Sequence, residues 1–179
     1  MAVKEVIKMG HPLLFRTAKS VAEFDTPELH QLLKDMKDTM DDLNGAGLAA
    51  PQIAVSVRVM LFGVTENDRY PDVEPVPETI LINPEYSVID SGKESDWEGC
   101  LSVPHMRGLV PRYKGIKYWG YDVKGELIER EAHGFHARVF QHEFDHLNGV
   151  LYPQRIENMK NFGFDDVLFL HEHHTEQDI

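Results

Sequence analysis

One cysteine, Cys100, stands in 179 residues, so no internal disulfide framework is available. Basic residues are scarce as well. Lys and Arg number 18 against 30 Asp and Glu, a formal charge of −12, and no Lys/Arg stripe offsets it locally. Such a field repels phosphate backbones and anionic bilayers, so neither DNA nor a membrane is an expected partner. No run approaches the ~20 apolar residues that a spanning helix needs, and the opening MAVKEVIKMG lacks the continuous apolar stretch of a secretory signal. The expected setting is therefore cytoplasmic and reducing, where a single thiol serves as a ligand, a nucleophile or a small buried hydrophobe.

What is present is enough for a real core. A chain of this length buries roughly 70% of its unfolded surface on folding, and 1–170 reads as one domain followed by a polar, disordered tail, 171–179. Leu29, Leu32, Leu33, Met36, Met40 and Leu43 recur three or four apart, which predicts an amphipathic helix capped by Thr26-Pro27 and stopped at Asn44-Gly45. Beyond it the apolar period shortens. Val57–Phe62, Thr79–Asn83, Tyr86–Ile89, Leu109–Arg112, Ile116–Tyr121 and Leu127–Ala132 read as strands, with a hairpin turn over Asp122–Glu126. The segment carrying Glu66, Asp68, Pro71, Asp72, Glu74, Pro75 and Pro77 reads as a long acidic surface loop. A second helix, Phe135–Asn148, is closed by Gly149. The expected fold is α+β: antiparallel and mixed strands packed around a buried C-terminal helix, with the N-terminal amphipathic helix outside.

That second helix carries the sharpest chemical signal, His142-Glu143-Phe144-Asp145-His146. Residues four apart share a helix face, so both imidazoles can reach one ion while Glu143 lands beside it as a proton-transfer group. A third protein ligand is needed. The zincin pattern that matches Gly149 would place a histidine at position 152, where this chain has Tyr152, and neither Glu157 nor Glu172 has a persuasive context. Upstream, Glu98-Gly99-Cys100-Leu101-Ser102 offers a thiolate at a turn that glycine lets approach closely; taken alone, a core-filling thiol is the competing reading. A third segment, Gly45-Ala46-Gly47-Leu48-Ala49-Ala50-Pro51-Gln52, permits close backbone approach to a ligand, with the Gln52 amide as a donor.

Together, these three motifs in this order and spacing resemble peptide deformylase, over about His11 to Leu151. The resemblance implies hydrolysis of the N-formyl group from formylmethionyl nascent peptides by attack of a metal-bound hydroxide. It implies one divalent ion on Cys100, His142 and His146, natively Fe(II), with Zn, Ni or Co able to substitute. Glu143 would move protons, while the Gln52 amide and the Leu101 N–H would face the formyl oxygen. Substrate would lie along Ala46 and Gly47 as an added strand, with Phe135 and Val139 lining the methionine pocket and Arg107 near the peptide's exit. Glu98 would pair with Arg112 to brace the Cys100 turn. Arg138 departs from the common pattern, and its guanidinium is expected to point outward or to reshape the pocket edge. The acidic, apolar C-terminal segment Phe164–Leu170 offers no basic dock for ribosomal RNA, so ribosome proximity is expected to be transient, and the chain to be a monomer.

Overall fold

The computed structural model describes residues 3–64 and 74–170. Within them the chain forms α1 (Pro27–Asp42), β1 (Gly47–Ala49), β2 (Val59–Val64), β3 (Val76–Cys100), β4 (Val103–Tyr121), β5 (Leu127–His133), α2 (Gly134–Leu147), β6 (Phe162–Phe164) and the single-turn α3 (Asp165–Leu168). The sheet order is β1-β2-β3-β4-β5, with β6 added on β4. Every ladder is antiparallel, and parallel pairing among the described residues is confined to the isolated bridge Lys19–Val57.

The strands expected separately as Thr79–Asn83 and Tyr86–Ile89 are one long β3, interrupted by bulges, and Leu109–Arg112 and Ile116–Tyr121 are likewise one β4. Irregularities in register, not turns, break the apolar alternation there, so the sequence pattern looks segmented. Pro77, expected in the acidic loop, lies on the exposed start of β3, where a missing N–H is tolerated. Residues 66–72 of that loop and the tail 171–179 fall outside the described residues.

β2 explains the layering. Its buried run Val59-Met60-Leu61-Phe62 faces two helices at once, so it shows no polar alternation. Val59 and Leu61 pack with Leu29, Leu33, Met36 and Met40 of α1. Met60 and Phe62 pack on the other side with Ala137, Val139, Phe140 and Leu147 of α2. Tyr118 stacks on Phe140, with centroids 4.6 Å apart, which seats α2 on the sheet. Thr26 Oγ1 accepts from Leu29 N at 3.2 Å and fixes the start of α1. Past α2, Gly149 has φ +72°, and a Cβ there would lie 2.6 Å from the Phe15 backbone, so glycine is required on two counts. The helix ends where the N-terminal segment crosses it.

Candidate metal centre and active-site cleft

Cys100 ends β3 at the tight connection to β4, where it pairs with Val103. The buried face of α2 brings its histidines against that turn. Sγ of Cys100 and the ring nitrogens of His142 and His146 lie within 4.8 Å of one another, a donor set that could hold one metal ion. The sulfur is 3.3 Å from His146 Nε2. His142 Nδ1 sits 2.9 Å from Glu98 Oε2, so with an ionised carboxylate it donates there and presents Nε2 to the sulfur side. Burial, then the His142 and Arg112 charges, push His146 well below its ordinary value, toward the neutral form that binds metals. A thiol and two imidazoles are a donor set suited to a divalent transition ion.

Glu143 is buried beside them, and its Oε2 has no hydrogen-bond partner among the described residues. Burial raises its pKa from the ordinary 4.5 to about 7, with the His142 charge opposing the shift. A carboxyl poised near neutrality and carrying an uncommitted oxygen suits proton transfer to a small polar group in the cleft. Gly47 makes the room. A Cβ at that position would lie 2.5 Å from Glu143 Oε1, so the close approach read from the glycine-rich segment is made first of all to this carboxylate.

Gln52 is oriented by the same segment. Its Oε1 accepts from Ala49 N at 2.8 Å, which turns Nε2 toward Cys100 Sγ at 3.5 Å and Ser102 Oγ at 3.2 Å. The amide nitrogen therefore faces Cys100 in the site on one side and the buried Ser102 on the other. β1 is an edge strand, and Gly63 N donates to Ala46 O. Antiparallel alternation then leaves the Gly47 N–H and C=O on the side away from β2.

One cleft is lined by Ala46, Gly47, Gln52, Glu98, Cys100, Leu101, Phe135, Val139, His142 and Glu143, ten of the thirteen site residues expected from sequence. His146 lies beneath it with 1% of its surface exposed. Arg112 does not line it but braces it from behind, bidentate to Glu98 through Nε at 2.9 Å and Nη2 at 3.0 Å. Arg107 lies across the Gly99 backbone, its guanidinium 3.2 Å from where a Cβ would stand, next to the β4–β6 pairing.

The comparisons agree with this arrangement. A family model described as polypeptide deformylase matches residues 3–162. The chain is 58% identical over 167 residues to "Peptide deformylase 1" of Nitrosomonas europaea, covering 93% of this chain and 95% of that one. It is 53% identical over 176 residues to "Peptide deformylase 2" of Ralstonia nicotianae, covering 97% and 99%.

The chain belongs to the polypeptide deformylase family.

Among solved structures, the Met-Ala-Ser-bound class I type b peptide deformylase of Acinetobacter baumannii superposes with a TM-score of 0.84 at 40% identity, covering 87% of this chain and all of that one. The Thermotoga maritima peptide deformylase gives 0.79 at 39% identity, covering 88% and 100%. The protein is thus an enzyme, a hydrolase of the peptide deformylase class.

Around this deformylase cleft, one of the two alternatives expected for Arg138 fails, and sequence reasoning passed over three further residues. Arg138 does not point outward. It is 6% exposed, lines the cleft between Phe135 and Val139, and donates from Nη1 to Glu98 Oε1 at 2.9 Å. The reason is electrostatic, because the buried Glu98 carboxylate is a deeper well for a guanidinium than the cleft rim. Burial alone would raise the Glu98 pKa; the Arg112 charge and hydrogen bonds, with His142, hold it well below the usual carboxylate range. Asp145 was unassigned and is buried between Arg112 Nη1 at 2.6 Å and Arg155 Nη2 at 2.7 Å. Tyr152, noted only as the wrong residue for a third histidine, stacks on the His142 ring. Trp97 lines the cleft beside Glu98 and meets Phe169 edge-on. The available signal for Asp145 was its place on α2, three residues past His142 and on the same face.

Proposed function

We propose that this protein hydrolyses the N-formyl group of formylmethionyl nascent peptides, releasing formate and a free amino terminus, at a divalent ion held by Cys100, His142 and His146. The observation that carries the reading is the convergence of one thiol and two imidazoles beside a buried, half-uncommitted carboxylate in a chain of this family. The A. baumannii relative holds Met-Ala-Ser, the kind of terminus such a reaction leaves.

When bound, the ion supplies the Lewis acidity that makes water a nucleophile at neutral pH. The rest falls to side chains. Glu143 takes the proton that water loses on attacking the formyl carbon and returns it to the amine nitrogen as the C–N bond breaks. The Gln52 amide, fixed by its bond to Ala49, and the Leu101 N–H stabilise the charge that develops on the formyl oxygen, each donor contributing ~3 kcal/mol. The outward-facing N–H and C=O of Gly47 on the edge strand β1, next to Ala46, receive the peptide backbone as an added strand. Phe135 and Val139, one helical turn apart on α2, hold the methionine side chain, and Arg107 borders its onward path. Fe(II) is the native ion in this reading, with Zn, Ni or Co able to take its place. Nascent chains are the partner, met by a monomer in the cytoplasm with only transient ribosome proximity.

The test is formate release from formyl-Met-Ala-Ser by Co(II)-loaded protein, compared with Cys100→Ala and Glu143→Ala. Release by the unaltered chain and its loss in both variants is expected. Cleavage of an internal peptide bond instead, or release that survives Glu143→Ala, overturns the assignment.

A further inference from the structure

The two halves of the candidate centre come from elements far apart in the chain. Cys100 and Glu98 sit at the end of β3, while His142, Glu143 and His146 sit on α2. Two arginines cross between them in opposite directions. Arg112, on β4, reaches the helix through Asp145. Arg138, on the helix, reaches back, and all three of its acceptors belong to the β3–β4 hairpin: Glu98 Oε1 at 2.9 Å, Val110 O at 2.8 Å and Glu94 O at 2.7 Å. One guanidinium thus touches both strands of the hairpin as well as the carboxylate that orients His142.

We propose that Arg138 is a positioning residue for the metal centre, locking the hairpin that supplies Cys100 onto the helix that supplies His142 and His146. The inference rests on the metal-centre reading above. Glu98 Oε1 accepts from Arg112 Nε and Arg138 Nη1, and Oε2 from Arg112 Nη2 and His142 Nδ1, so the carboxylate is held on four sides. Without Arg138 the hairpin stays tied to α2 through Arg112–Asp145, Glu98–His142 and the two Gln141–Tyr113 bonds, but Glu98 Oε1 loses its contact from the helix, and the Glu94 and Val110 carbonyls, one on each strand beside the Cys100 turn, lose their shared donor. A buried charged pair is a weak source of net stability, since desolvation offsets most of its attraction. A guanidinium kept buried in an apolar pocket wall is therefore better explained by what it holds in place. A planar fork meets three divergent acceptors; the ammonium of lysine, a point charge, keeps the attraction to Glu98 but not both carbonyls.

The experiment uses the whole chain loaded with Co(II). Thiolate-to-cobalt absorption reports the Cys100 bond, transfer of cobalt to excess chelator gives the release rate, and thermal unfolding of the metal-free protein reports the fold. Arg138→Met is expected to speed release about 10–100-fold and to shift the thiolate band, as loss of a group supporting a metal ligand does elsewhere, with Arg138→Lys in between. A release rate and band unchanged in Arg138→Met overturn the proposal. So does a variant that lowers only the unfolding temperature, because that is a structural role alone. Should Arg138→Met fail to fold, Arg138→Lys decides by the same two readouts, unchanged release again overturning it. Should the unaltered chain show no cobalt band that Cys100→Ser removes, the metal-centre reading itself has failed, and the proposal with it.

Discussion

Replacing Glu143 by Gln separates what the carboxylate does to the fold from what it does for chemistry. In the metal-free protein burial raises this carboxyl from 4.5 to about 7. A raised folded-state value means the carboxyl favours folding while protonated. That contribution is complete below the ordinary value of 4.5 and is lost as pH climbs through about 7. The span between the two, at 1.36 kcal/mol per pH unit, amounts to ~3 kcal/mol, of which about 2 kcal/mol develops between pH 5.5 and 8.5. Gln has nearly the same shape and no charge at either pH, so it escapes the loss. Other titrating groups are common to both chains and largely cancel in the difference.

Urea unfolding of chelator-treated protein at those two pH values measures it. The stability of Glu143→Gln relative to the unaltered chain should rise by about 2 kcal/mol from pH 5.5 to 8.5, a change several times the usual fitting error. A difference that stays flat, or that falls, would mean the carboxyl is ionised in the fold at both pH values, and the burial argument would be wrong. The metal-loaded variant should meanwhile lose about 10²–10⁴-fold in formate release, the ordinary worth of a positioned proton-transfer group. A chain that gains stability relative to the unaltered one as pH rises, yet is nearly inactive, is the combined signature.

Three further outcomes are expected. Gly47→Ala places a Cβ 2.5 Å from Glu143 Oε1 and 2.8 Å from its Cδ and Cγ, so the whole buried side chain must shift; kcat should drop together with some loss in melting temperature, and an unchanged kcat would count against Glu143 acting from this position. Gly149→Ala must hold φ near +72° with Phe15 backbone 2.6 Å away, and should lose about 1–3 kcal/mol or more in denaturant unfolding; a neutral result would show that the crossing segment yields freely. The Fe(II) form should lose activity in air through oxidation at the thiolate site, while Ni(II) or Co(II) forms persist, and equal half-lives for all three would refute that account.

How much of this was legible follows from how far each constraint reaches. The cap at Thr26, the stop at Gly149 and the two histidines on one face of α2 are set within a few residues, so spacing alone reveals them. Strand limits were less readable because bulges, at Ile82/Glu85 and again at Val88/Asp90, shift the alternation without ending the strand. Phe135 and Val139 were readable as one helix face, and both do line the cleft. Gly47 was recognised as a place of close approach, but not what approaches, because Glu143 lies 96 positions further along the chain.

Arg138 shows the limit most clearly. Its partners lie 28, 40 and 44 positions away, on two different strands, and no local pattern distinguishes an arginine that turns inward from one that faces water. Its neighbours point the wrong way, since Phe135 and Val139 mark an apolar pocket edge where a charge is expected to escape outward. What reverses that expectation is a tertiary fact, the buried Glu98 carboxylate within reach of the same helix face. Glu98 in turn was read only as a partner for Arg112, yet it also accepts from Arg138 and His142. A carboxylate buried beside a metal-ligand motif needs positive partners to stay ionised; Arg112 and His142 supply that here, and Arg138 adds a fourth hydrogen bond. In this chain the guanidiniums that meet that carboxylate come from β4 and α2, Arg112 from the first and Arg138 from the second.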